Sequence, residues 1–426
     1  MSSMRAVAGT IRDSGSMIGR GVLEDFRRAK VRRVGTHVAR TTFDPTEPAA
    51  IANPYPQLAQ LREQRVAVNE RLNVWMLARH ADVVAAARAH DTLSSGSGIL
   101  LRSMPMPGVV STDEPDHTRL RRITAPSFTP GAVRQLEDVL RELVAPGVAA
   151  LMGGEAVDIV PTLTVPLPVA AIALILGVEH SRRGEFHRYS EDFRSVFAVS
   201  SISEVTNCIG RALPGMLAMR ALILDELDRR ADVRTDDVLG RVREALDEGE
   251  MSMLEALSAA MILLVAGSET TTNLLGILLM RLAVDPDLYE RLRQNRDLIS
   301  AATEEALRWG SPVQWVARTA LRPYRVGDVM IPERSRVVLF YASANRDPAQ
   351  FDRPDEFDID RGAAGHVTFG HGAHYCMGAH LARLEVSVAL NQLLDVAPRI
   401  ELAGPVTWTT TPSLSGPTAV PIRVVH

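Results

Sequence analysis

The chain has 426 residues, 46% of them hydrophobic, so it can bury a large core and is not a disordered polymer. Its formal charge of −4 argues against general nucleic-acid binding. Two cysteines far apart, Cys208 and Cys376, exclude a disulfide-stapled scaffold and fit a reducing compartment, so a soluble, cytoplasmic protein is expected.

The first forty residues carry nine Arg/Lys against three Asp/Glu, a balance of +6 that leaves −10 for the rest. They lack the apolar core of a secretory signal, and 1–40 reads as a basic, solvated arm. A targeting peptide, an anionic-surface contact and a partner tether are the alternatives. The single lysine, Lys30, against 46 arginines points to GC-rich bacterial codon usage. Residues 41–426 read as one large domain.

Arg65–Arg79 has the pattern of a strand pair, and His80–Ala89 that of a helix. Asp91–His117, punctuated by Gly, Ser and Pro, is expected to be a long functional loop. It ends where His117 and Arg121 stand at helical i, i+4 spacing, which could be a solvated helix start. Thr129–Thr303 is mainly helical, with breaks predicted at Pro146, Gly177 and Pro214.

Within that region Ala259–Met280 is long enough to cross a bilayer, but Ser268 to Asn273 put a carboxylate and five other polar residues at its centre. A buried helix through a soluble core is predicted. Gly267 would admit a ligand close to the backbone, and threonines beyond it can bond i−4 carbonyls and bend the helix. Glu305 and Arg308 form an i, i+3 pair of the kind common on surfaces. Trp315–Leu321, Ser335–Tyr341 and the tail after Pro398 read as strands, and Arg318 lies in the first of them. Helices through the middle and strands near both ends give a mainly α fold with a smaller β region, an α+β arrangement.

Phe369 to Arg383 reads FGHGAHYCMGAHLAR, with Cys376 ahead of a helix predicted over Met377–Val396. Three readings stand on these residues alone. Cys376 could be inert and buried. It could bind zinc with His371, His374 and His380, although three ligands from one short loop would crowd. It could be the single axial thiolate of a haem, with Gly370, Gly372 and Gly378 letting the backbone turn unusually and approach a flat ring. At the start of a helix, free N–H groups and the macrodipole would favour a thiolate.

The spacing Phe369-x-x-Gly372-x-His374-x-Cys376-x-Gly378 resembles the haem-binding loop of the bacterial-type cytochrome P-450 family. The resemblance implies haem b between a central distal helix and the proximal Cys376 loop, with Cys376 as the iron ligand. It implies contacts from Ala266, Gly267, Phe369, Gly370 and Gly378, and propionate contacts from His117, Arg121, Arg318 and His374. Thr270 and Glu269 resemble the family's oxygen-activating alcohol and acid. Glu305, Arg308 and Arg361, the last within FDRPDEFDIDR, resemble its buried structural network.

The activity so implied is monooxygenation of a hydrophobic molecule by dioxygen, with a terpenoid, fatty-acid-like or steroid-like compound as the guess. The substrate lining would come from Ile99, Leu100, Leu101, Met104, Met106, Val110, Leu263, Val313, Val316 and Leu414, a soft aliphatic set. One spare cysteine cannot hold an iron–sulfur cluster, so electrons would come from a separate partner, which the resemblance implies to be a ferredoxin with its NAD(P)H reductase. Arg119, Arg122 and Arg383 would attract that ferredoxin. A non-catalytic haem sensor is the alternative; it would keep Cys376 but have no use for Thr270 and Glu269.

Overall fold

Strand-prone runs from the two ends of the sequence meet in one six-stranded sheet. The computed structural model describes residues 16, 19–28, 38–194 and 202–425, and their side chains other than 187 and 190–213. Most of the basic arm, with Lys30, lies outside the described residues, as does the side chain of Cys208. The sheet comprises β1 (Ala39–Arg40), β2 (Val66–Asn69), β3 (Val74–Leu77), β4 (Leu93–Ser94), β5 (Val316–Ala320) and β6 (Arg336–Leu339), in the order β1-β2-β3-β6-β5-β4. β2 and β3 form the expected antiparallel pair, with Val66 opposite Leu77. β6 then runs parallel to β3 and antiparallel to β5, so that Val337 faces both Trp75 and Arg318 in register. β2, β3 and β6 are buried along their whole length; they are apolar except for Asn69 at the end of β2 and Arg336 at the start of β6. Because β1 already pairs with β2, the folded body begins before residue 41.

Six helices frame the site: α1 (His80–Arg88), α2 (Asp116–Thr124), α3 (Pro166–Leu176), α4 (Met253–Val284), α5 (Leu298–Gly310) and α6 (Ala379–Val396). α4 starts at a reciprocal cap: Glu255 N–H donates to Ser252 Oγ, and Ser252 N–H donates to the Glu255 carboxylate. It is long and apolar enough to cross a membrane, yet 67% of its apolar window is buried inside the fold. Leu274, Leu275, Ile277 and Leu278 of α4 share one core with Val386, Leu390 and Leu393 of α6. Each such side chain contributes about 1.5–3 kcal/mol on burial.

Two predicted helix breaks are absent. Pro146 lies within the helix Glu137–Leu151 and Pro214 within Ile202–Asp228. Both prolines are solvent-exposed, where a carbonyl deprived of its N–H partner can turn to water. Gly177 does end α3, with φ 87°.

Part of the arm is ordered. Residues 19–27 are helical, and Gly21 and Arg28 are buried against the loop that follows β4.

Candidate active site around Cys376

The loop before α6 is shaped by two glycines in the left-handed region, Gly370 and Gly372, both with φ 72°. At Gly372 a Cβ would lie 3.1 Å from Arg88 Cα, so this glycine also admits the end of α1. Gly378 differs from expectation. Its φ is an ordinary −79°, and an added Cβ would meet only Cys376 Sγ, at 3.9 Å. This glycine keeps space open beside the sulfur and imposes no unusual turn.

Cys376 N–H donates to Phe369 O at 2.8 Å, closing the loop, and the cysteine is a free thiol. Burial pushes that thiol up, opposed by the N–H groups of Gly378 and Ala379 and by the cations Arg121 and Arg383. The helix start thus points donors at the sulfur as predicted, but desolvation outweighs them until a metal replaces the proton. Zinc is not what the loop is built for. Among the described residues no three His, Cys, Asp or Glu side chains are grouped to hold a metal, and His371 and His380 do not join His374 and Cys376.

A cavity lies between this loop and the middle of α4. Cys376, Phe369, Gly370 and Gly378 line it from the loop; Leu263, Ala266, Gly267 and Thr270 line it from α4. Thr270 Oγ donates to Ala266 O at 2.6 Å, and its lone pairs remain as acceptors toward the cavity. α4 nonetheless runs as one continuous helix past this bond. Glu269 is half-buried and outside the cavity lining. Gly267 also packs tightly: a Cβ there would sit 2.9 Å from Ile172 Cδ1 of α3, so the end of that side chain would have to move.

Four sequence-predicted donors converge at one edge. Arg121, Arg318 and His374 line the cavity, and the His117 ring lies against His374, with centroids 4.4 Å apart. Arg318 is fully buried and donates to Ala317 O. Burial lowers its pKa, and no carboxylate among the described residues pairs with it. His117 Nδ1 faces Glu114, while its buried Nε2 has no protein partner. Burial, with Arg318 and His117 nearby, pushes His374 down to about 3, and its Nε2 meets Ser95 Oγ at 3.1 Å. A desolvated cation and orphaned donors around an apolar cavity are what a planar ligand with two carboxylates would satisfy. The residues present fit haem.

The expected substrate lining divides. Ile99, Val110, Leu263, Val313 and Val316 face the cavity, joined by Val109, Ile172 and Ile262, which periodicity could not single out. Leu100, Leu101, Met104, Met106 and Leu414 do not. Ile99 O is fixed to Ala317 N–H, after which the loop turns away. Leu100 O then accepts from buried Arg336, and Leu101 O accepts from Arg28. Leu414 lies in a separate crevice beside Phe43 and Trp315.

Behind the loop, Glu305 and Arg308 form a fully buried two-pronged pair, both contacts 2.7 Å. Arg308 also donates to the carbonyls of Asn345, Pro354 and Glu356, and Arg361 Nε reaches Glu305 at 3.4 Å. Asn345 Nδ2 then donates to Thr368 Oγ, and Thr368 Oγ to Leu307 O, which carries the network to the residue before Phe369. Asn345 and Thr368 were missed because nothing local in sequence marks them.

The three arginines expected to draw a partner are each tied to acids. Arg119 meets Asp116 and Glu255, Arg122 meets Glu250, and Arg383 meets Glu304. Burial raises the Glu304 carboxyl, but hydrogen bonds from Arg383 and His366 outweigh it and hold it at about 2. Arg121, whose Nη2 donates to Tyr375 O, is the nearby cation without a carboxylate among the described residues.

A half-buried thiol facing an apolar cavity, with a hydroxyl-bearing helix across from it, defines a haem-thiolate oxygenase architecture. The cytochrome P450 family model matches residues 218–396. Beta-dihydromenaquinone-9 omega-hydroxylase of Mycobacterium tuberculosis is 36% identical over 99% of this chain and 88% of its own length. The structure of cytochrome P450 CYP109Q5 from Chondromyces apiculatus superposes with TM-score 0.80 at 31% identity, covering 91% of this chain and 99% of that one. CYP109E1 from Bacillus megaterium, solved with testosterone, gives TM-score 0.80 at 25% identity over 89% of this chain and all of that one. The chain belongs to the cytochrome P450 family, is a monooxygenase, and uses haem as its cofactor.

Proposed function

We propose that this monooxygenase oxidises a hydrophobic small molecule held on the α4 side of the cavity, across from Cys376, with electrons from a separate ferredoxin-type donor and its reductase. The apolar cavity shared by Cys376 and Thr270 carries this reading. Haem, when bound, supplies the metal centre at which dioxygen is reduced and one oxygen atom passes to substrate. Cys376 would hold it from the proximal side, and His117, Arg121, Arg318 and His374 would receive its carboxylates.

Thr270 Oγ, with its own proton committed to Ala266 O, is poised to accept a hydrogen bond from a water in the cavity and orient that proton donor. Glu269, adjacent but off the lining, would resupply protons through water. Ile99, Val110, Leu263, Val313 and Val316 would exclude bulk water and hold an aliphatic or polycyclic substrate. Relatives named for a lipoquinone and a steroid complex support a large apolar ligand.

The test has two parts. Reduced, carbon-monoxide-bound protein should show the strongly red-shifted band of thiolate ligation. Titration with terpenoids, fatty acids and steroids should then give a spin-state shift and, with a ferredoxin system, oxygenated product. If polar metabolites produced the shift and apolar ones did not, the substrate assignment would be wrong. Electron-transfer rates that ignored ionic strength would remove the charge-guided docking of the donor.

A further inference from the structure

The helix 19–27 is folded inside out. Its polar stripe faces the protein: Asp25 Oδ1 accepts from Ser103 N–H at 3.1 Å, and Arg28 Nη2 donates to Leu101 O and Ser103 Oγ at 2.9 and 3.0 Å. Gly21 lies so close to Ser103 and Pro105 that a Cβ would overlap the Ser103 carbonyl. Its apolar side chains face outward. Val22, Leu23 and Phe26 are 43, 48 and 78% exposed, and Arg20 and Arg27 beside them are exposed as well. The other exposed large hydrophobics are scattered singly along the chain.

A helix that turns its hydrophobic residues to solvent has no reason in its own fold to do so. Charge points to the occupant. The first forty residues hold nine basic against three acidic residues, and two of those acids, Glu24 and Asp25, lie only partly exposed beside the inward-facing stripe. The outward side therefore combines apolar anchors with arginines that form no ion pair among the described residues, the composition that binds an anionic bilayer surface.

We propose that helix 19–27 docks this protein on an anionic lipid bilayer through Val22, Leu23, Phe26, Arg20 and Arg27. Its inner face grips residues 101–105, which continue directly from cavity-lining Ile99. Docking therefore places the stretch that follows a cavity-lining residue next to the membrane-bound helix. That substrate is taken from the bilayer rests on the hydrophobic-substrate reading above; the docking does not.

Full-length haem-loaded protein is floated with vesicles of phosphatidylcholine alone and with about one-third phosphatidylglycerol added. The anionic vesicles should carry the protein, and the zwitterionic ones should bind it at least about tenfold more weakly, as should anionic vesicles in about 0.5 M salt. F26S and the double variant R20E/R27E should each lose about tenfold. These side chains are exposed, so an unchanged haem absorption spectrum verifies that each variant is folded. The proposal is overturned if native protein fails to float with anionic vesicles, or if F26S binds them as well as native. It is also overturned if native protein is a dimer that F26S dissociates, since a second copy would then cover the face. No turnover is measured, so this outcome is independent of the substrate reading.

Discussion

Glu385 sits on α6, nine residues after Cys376, with no solvent exposure, and neither carboxyl oxygen has a protein hydrogen-bond partner. Burial pushes its pKa well above the ordinary carboxyl range, so the folded protein keeps a proton that the unfolded chain releases. A raised carboxyl stabilises most below its unfolded pKa, and that contribution is lost as pH rises toward the folded value. Each pH unit in this window costs about 1.4 kcal/mol. Replacing Glu385 with methionine removes the titrating group at similar volume. The stability advantage of E385M over native should therefore grow by about 1–3 kcal/mol between about pH 5.5 and about pH 7.5. Unfolding of both haem-loaded proteins, followed by circular dichroism at several pH values, reads this directly. A difference that stays flat across the range would mean the carboxylate is ionised and hydrated, and the reasoning would be refuted.

Removing one partner of the buried Glu305–Arg308 pair, as in R308M, should cost about 3–5 kcal/mol and loosen haem retention; thermal unfolding and haem transfer to apomyoglobin would measure the two effects. T270A should leave the fold and haem spectrum intact, because Ala266 O keeps its main-chain partner in α4. Electrons should then be diverted from product to peroxide, seen as lower product per NAD(P)H consumed. G267A should destabilise by about 1 kcal/mol, overpacking against Ile172 being partly offset by better helix propensity. Adding I172V, which removes the Cδ1 atom that is met, should restore about that amount; strictly additive effects would disprove the contact.

What was legible in sequence follows the range of the interactions. The Cys376 loop was readable because Phe369, Gly372, His374 and Cys376 stand close together in the sequence, and Cys376 N–H closes the loop locally on Phe369 O. The β2–β3 pair and α4 were equally plain, each a local pattern with its own caps and turns. The four donors around the cavity edge were recovered only through family resemblance, since α2, β5 and the loop that carry them are far apart in the chain. The course of residues 100–104 was not legible, because it depends on Arg336 and Arg28 reaching across from a strand and from the arm. The packing of Gly267 against Ile172 was not legible for a similar reason: Ile172 belongs to another helix. Pro146 and Pro214 misled because a proline stops a helix only where its neighbours cannot be resolvated.

Long-range strand pairing has a temporal implication. In a separate three-stranded sheet Val157–Asp158 pairs with Pro421–Val425, which also pairs with Arg399–Leu402, so the first of these segments waits for strands that are synthesised far later. The six-stranded sheet likewise joins Val74–Leu77 to Arg336–Leu339. On the ribosome neither pairing can form until its later strand has been made, so the scaffold that receives the prosthetic group is assembled well after its early strands emerge.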